Sequence, residues 1–120
     1  MKTLVVALGG NALLQRGEAL TAENQYRNIA SAVPALARLA RSYRLAIVHG
    51  NGPQVGLDLR RAEIAHEREG LPLTPLANCV ADTQGGIGYL IQQALNNRLA
   101  RRGEQKAVTV VTQVEVDKND

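Results

Sequence analysis

A chain of 120 residues, 45% hydrophobic and 21% charged, is long enough to bury a core and too apolar to stay disordered. No stretch approaches the ~18 consecutive apolar residues of a membrane span, and Met1–Leu8 reaches Gly9-Gly10 too soon for a signal peptide. The net charge is +3, with eleven Arg against three Lys. A basic balance invites a nucleic-acid reading, but the charges are dispersed. The densest cluster, Arg98, Arg101, Arg102 and Lys106, falls near a predicted helix C-terminus, where cations complement the macrodipole. Three Tyr without Phe or Trp offer little for base stacking, so neither a nucleic-acid nor a membrane partner is expected. The single cysteine, Cys79, cannot close an internal disulfide and fits a reducing, cytoplasmic setting.

Thr3 to Leu8 is a short, continuous apolar run ending at two glycines, which predicts a buried strand of a parallel sheet. Asn11 to Leu20 reads as loop, broken at Gly17. Thr21 is a plausible N-cap for a helix in which Ile29, Val33, Leu36 and Ala40 recur at helical spacing, with Pro34 as a kink or weak point. Leu45 to Val48 is a second strand, ending at His49-Gly50-Asn51-Gly52-Pro53. Pro53 suits the first turn of a helix running to about Arg68, with Val55, Leu59, Ala62 and Ala65 inward.

After Gly70 and Pro72, Thr74-Pro75 reads as an N-cap and N1 pair. A long helix then runs to about Arg102, with Leu76, Val80, Ile87, Ile91 and Leu95 near one face and Gly103 as stop. Ala107 to Val111 is a third apolar run, a predicted strand. Strands alternating with helices imply an α/β fold: right-handed crossovers and a parallel sheet with helices on both faces.

Two glycine-rich turns follow two successive strands. In a parallel sheet such turns share one crevice at the carboxyl edge, where ligands bind. Gly9-Gly10-Asn11 and Gly50-Asn51-Gly52 would lie side by side there. Glycine lets backbone N–H groups approach an anion closely, and the helix start at Gly52-Pro53 adds a positive dipole end. The pair makes a site for a phosphoryl or carboxylate group, with Asn11 and Asn51 as side-chain donors. The plain alternative is two tight strand-to-helix turns.

The P-loop pattern G-x-x-x-x-G-K-[ST] is absent, as is a dinucleotide G-x-G-x-x-G after the first strand. His49, His66 and Cys79 lack metal-ligand spacing. His49 reads as a ligand contact or a structural histidine, His66 as solvated, Cys79 as a small core residue. In Asp82-Thr83-Gln84-Gly85-Gly86-Ile87-Gly88-Tyr89, three glycines inside a helix cost about 1 kcal/mol each relative to Ala. Either something packs very close or the helix breaks there. Thr83 and Gln84 are polar where this helix should turn inward.

Taken together, Ala7-Leu8-Gly9-Gly10-Asn11-Ala12-Leu13, His49-Gly50-Asn51-Gly52-Pro53-Gln54-Val55-Gly56 and Thr83-Gln84-Gly85-Gly86-Ile87-Gly88-Tyr89 resemble the carbamate kinases of the amino acid kinase family. So does Thr112-Gln113-Val114-Glu115-Val116-Asp117. The resemblance covers essentially the whole chain, and the Gly-Asn-Gly-Pro-Gln stretch is its most specific part. Related acetylglutamate kinases usually carry a lysine before the first glycine pair and glycine where Asn51 stands, which favours carbamate over acylated amino acids.

The resemblance implies a three-layer α/β sandwich with a largely parallel sheet, incomplete in this chain. It implies reversible phosphoryl transfer between ATP and carbamate with Mg2+, often run toward ATP in arginine or agmatine breakdown, by cytoplasmic homodimers. Gly9, Gly10 and Asn11 would hold the transferred phosphoryl group. Gly50, Asn51 and Gly52 would hold carbamate or the carbamoyl part of carbamoyl phosphate. Family members are more than twice this length. Residues 1–120 therefore correspond to the N-terminal, acid-substrate part, without the nucleotide-binding half, and are expected to be inactive alone. None of Lys2, Lys106 or Lys118 matches a family lysine, and all catalytic lysines are expected beyond residue 120. A non-catalytic anion-binding or interaction module derived from an amino acid kinase is the other reading.

Overall fold

The computed structural model describes residues 1–99 and 105–120. Two strands, β1 (Thr3–Leu8) and β2 (Arg44–His49), pair in parallel with Thr3 opposite Arg44 and Leu8 opposite His49. Both are rich in Val, Ile, Leu and Ala, which fit a pleated, packed surface. Leu8 is buried, with Val6, Leu45 and Ile47 packed against the same core.

The opposite face carries Thr3, Val5, Ala7, Arg44, Ala46 and Val48, all exposed. The strands were expected to be buried on both faces under helices. Among the described residues the helices cover one face only, and the sheet is a partial one. Alternate side chains of a strand point to opposite faces, so covering one face leaves Val5 64% and Val48 49% exposed.

Helix α1 (Gly10–Leu13) is a single turn where a loop was expected. The Gly9 carbonyl accepts the N–H of Ala12 and the Gly10 carbonyl that of Leu14. Leu13, buried in the core, rewards the turn. Gly17 takes φ 84°, a left-handed conformation that only glycine adopts cheaply. Helix α2 (Ala22–Ala40) starts where expected, and the Thr21 hydroxyl accepts the N–H of Asn24 at 3.1 Å. It is continuous through Pro34. Ile29, Val33, Leu36 and Ala40 are buried as their spacing requires.

Helix α3 (Gly52–Glu69) ends at Gly70, whose φ of 66° closes a left-handed cap with its N–H on the His66 carbonyl. The expected inward stripe is only half-buried; Gln54 is the residue α3 buries. The helix packs on α4 (Leu76–Leu99) rather than on the sheet, so its apolar positions meet one neighbour. Helix α4 starts one residue later than expected: the Pro75 carbonyl accepts the N–H of Cys79. The expected end at Arg102 and Gly103, and Arg101 with it, lie outside the described residues. Cys79, Ile87, Ile91 and Leu95 are buried, whereas Leu76 is exposed.

Helix α4 does not break at its glycines, and one of them explains why. A Cβ on Gly88 would sit inside van der Waals contact of Thr109 Cγ2, while Gly85 and Gly86 face open space. The chain passing over Gly88 is the third apolar run, Ala107 to Val111, which forms no strand. A groove of about 580 Å³ separates it from β2, lined by Leu45, Ile47, Ile91, Leu95, Val108 and Val110 among others. Side-chain amides of α4 take its polar groups instead. Asn96 bonds both the N–H and the carbonyl of Ala107, Gln92 accepts the Thr109 hydroxyl, and Gln84 bonds both the N–H and the carbonyl of Thr112.

The spacing is commensurate. Twelve residues of helix from Gln84 to Asn96 rise ~18 Å, and the extended run between Thr112 and Ala107 spans ~17 Å.

Candidate functional site

The register sets the site. Leu8 lies opposite His49, so the turns that follow, Gly9-Gly10-Asn11 and Gly50-Asn51-Gly52, leave adjacent strands at the same carboxyl edge. All six residues are exposed except Asn51, which is half-buried. Helix α3 begins at Gly52 with Asn51 as its N-cap residue, yet the Asn51 side chain makes no cap hydrogen bond. Pro53 has no N–H. Among the described residues no partner takes the N–H of Gly52 or Gln54, so both remain for a ligand at the positive end of the helix.

Asn51 spends its side chain elsewhere. Its Nδ2 donates to the Thr83 Oγ1 at 2.8 Å and to the Val80 carbonyl at 3.2 Å, both on α4. It was expected to be a side-chain donor to an anion; the structure uses that amide to pin the turn to α4. Asn11 stands differently: it is exposed on α1, and its side chain makes no hydrogen bond among the described residues.

Behind the first turn, Asn28 is buried and donates to the Leu13 carbonyl at 3.2 Å and to Glu18 Oε2 at 2.7 Å. Glu18 also accepts the N–H of Gln15 and pairs with Arg27 at 3.4 Å. The Asn28 amide first, then the Gln15 N–H and Arg27, hold the Glu18 carboxyl below its ordinary range. Behind the second turn, Gln54 donates to Gln25 Oε1 at 3.1 Å, joining α3 to α2.

Asn28, Glu18, Gln25 and Gln54 were not singled out from sequence. For Asn28, Gln25 and Gln54 the signal is a polar residue on the inward side of a helix, and Gln54 also falls in the Gly-Asn-Gly-Pro-Gln stretch; Glu18, in the loop before α2, carries none.

Both histidines meet nearby backbone carbonyls. His49 Nδ1 lies 3.0 Å from the Gly50 carbonyl, and His66 Nδ1 lies 2.8 Å from the Leu71 carbonyl beyond the end of α3. His66 is thus not merely solvated. Lys2, Lys106 and Lys118 are exposed. Cys79 is fully buried; burial, with Asp58 and Asp82 adding, pushes its thiol pKa up. Among the described residues no group of three or more His, Cys, Asp or Glu could hold a metal ion, and no helix is long and apolar enough to cross a membrane.

The profile of the amino acid kinase family matches residues 2–117. The chain is 70% identical over its whole length to the carbamate kinase-like protein YahI of Escherichia coli, spanning 39% of that protein. It is 65% identical to the carbamate kinase of Escherichia coli, spanning 38% of it. Among solved structures, carbamate kinase from Giardia lamblia bound to AMP-PNP superposes with a TM-score of 0.90 and 38% identity, over 99% of this chain and 42% of that one. The chain therefore spans about two fifths of the relatives it matches, and it belongs to the amino acid kinase family.

Proposed function

We propose that this chain supplies the acid-substrate and phosphoryl-binding part of a carbamate kinase, which interconverts ATP and carbamate with ADP and carbamoyl phosphate. The observation that carries the reading is the pairing of Leu8 with His49, which sets the two glycine turns side by side. Gly9, Gly10 and Asn11 hold the transferred phosphoryl group. Gly50 and Gly52 hold carbamate through backbone N–H groups, and Asn51 fixes the shape of their turn. In the forward direction a carbamate oxygen attacks the γ-phosphorus of ATP, and ADP leaves with the electron pair of the broken P–O bond. Phosphoryl transfer needs mainly positioning and charge neutralisation. Fixed N–H donors supply both without reorganising during the reaction.

The two turns carry no carboxylate, and the described residues form no cluster of metal ligands. They do not fit a Mg2+ site, so no step is routed through the ion here. ATP binding, Mg2+, the catalytic lysines and the dimer contacts belong, in this reading, to the further length that the relatives possess. The uncovered sheet face and the groove beside β2 support that assignment. Operation in the cytoplasm, in the ATP-forming direction of arginine or agmatine breakdown, completes the proposal.

The test joins residues 1–120 to the remaining length of the Escherichia coli carbamate kinase. The joined protein is expected to form ATP from ADP and carbamoyl phosphate, and the 120-residue chain alone is not. Turnover by the purified 120-residue chain overturns the division of labour. A folded joined protein that makes no ATP overturns the assignment of this chain.

A further inference from the structure

Thr83 is the one polar residue buried on α4, at 8% exposure. A Val of the same shape would fill the position but would lack the hydroxyl. Its hydroxyl donates to the Cys79 carbonyl at 2.9 Å and accepts the Asn51 amide at 2.8 Å. The next residue, Gln84, holds the backbone of Thr112 through both its amide atoms. One turn of α4 thus grips the loop after β2 and the carboxyl end of the third apolar run.

We infer that Thr83 is a positioning residue for the Gly50–Gly52 turn: through Asn51 it holds the Gly50 and Gly52 N–H groups in the geometry that receives the acid substrate. This rests on the carbamate reading above. Glycines on both sides of Asn51 leave the turn with little conformational preference of its own. The Asn51 carbonyl accepts the Val55 N–H at 2.9 Å, but its side chain makes no cap bond to α3; the two side-chain bonds to α4 are what tie the turn to that helix. Without the Thr83 hydroxyl, the Asn51 amide keeps only the longer bond, to the Val80 carbonyl at 3.2 Å.

The experiment follows the Asn51 side-chain NH2 and the backbone amides of Gly9, Gly10, Gly50 and Gly52 by 15N NMR in the 120-residue chain, with carbamoyl phosphate as the added probe. Thr83→Val is expected to speed exchange of the Asn51 NH2 and weaken the probe's effect at Gly50 and Gly52 roughly tenfold in Kd, the consequence of one lost hydrogen bond. The exchange rates of the Gly9 and Gly10 amides should stay as they are. Thr83→Ser should restore wild-type behaviour at the second turn.

Unchanged Asn51 exchange in Thr83→Val, or an equal loss at both turns, overturns the inference, because a general loosening of the fold would not single out one turn. If the probe moves neither turn in the wild-type chain, the carbamate reading fails, while Asn51 exchange still decides whether Thr83 anchors the loop.

Discussion

Gly88 offers the sharpest quantitative test of how α4 and the third apolar run fit together. In Gly88→Ala the new methyl would overlap Thr109 Cγ2 and stand 2.9 Å from its Oγ1 and 3.2 Å from its Cβ. Thr109 cannot turn away freely. It is β-branched, so its other rotamers bring another heavy atom into the same space, and its hydroxyl is held by Gln92 at 2.7 Å. Overpacking of this kind costs about 1–3 kcal/mol. Removing a helix-interior glycine returns about 1 kcal/mol. The net is a destabilisation between roughly zero and 2 kcal/mol, or up to ~8 °C in Tm for a domain of this size.

Gly86→Ala makes the control, because its Cβ meets nothing within 4 Å. It should gain up to about 1 kcal/mol. Thermal and urea unfolding followed by circular dichroism compares the two variants. The double variant Gly88→Ala/Thr109→Ala should recover most of the loss, since neighbouring changes couple. Equal stabilisation by Gly88→Ala and Gly86→Ala would refute the close packing of residues 107–112 on α4.

Other outcomes follow from the same contacts. Asn51→Ala, in residues 1–120 joined to the Escherichia coli carbamate kinase remainder, should cut turnover with carbamoyl phosphate at least tenfold by loosening the second turn; wild-type kcat and KM would remove Asn51 from the site. Glu18 has a carboxyl held below its ordinary range, so its contribution is present above that range and lost as pH falls through the lowered value. Amide exchange at Gln15 should therefore quicken on acidification in the wild type, and be fast and pH-flat, after correction for intrinsic exchange, in Glu18→Gln. Cys79 is fully buried with a raised thiol pKa. It should react with iodoacetamide at pH 8 at least a hundredfold more slowly in the folded chain than in urea, since only the exposed thiolate reacts. Gln84→Ala should release the Thr112 amide to fast exchange while leaving Ala107 protected by Asn96.

The elements were legible where pattern and punctuation agreed. Thr21, Gly17, Gly70 and the apolar runs at Thr3–Leu8 and Leu45–Val48 each carry a local cause. The capping hydroxyl, the left-handed glycines and the β-branched runs act within a few residues, so their effect shows in the order of residues alone. The α1 turn was missed because its reason is distant, in Leu13 reaching the core. The third run was expected to be a strand because its composition is that of a strand. Strand formation also needs a partner edge, and here α4 amides stand on one side and a groove on the other.

The sequence by itself determined the α/β order, the placing of two glycine turns after two strands, and membership of the family through their residues. Only the tertiary structure decided what the polar residues do. The Asn51 amide bonds Thr83 and Val80, Asn28 and Glu18 brace the first turn, and Gly88 admits Thr109. Those roles depend on which residues meet across 10 to 32 positions of chain, and spacing along a sequence does not encode such meetings until the helices have packed.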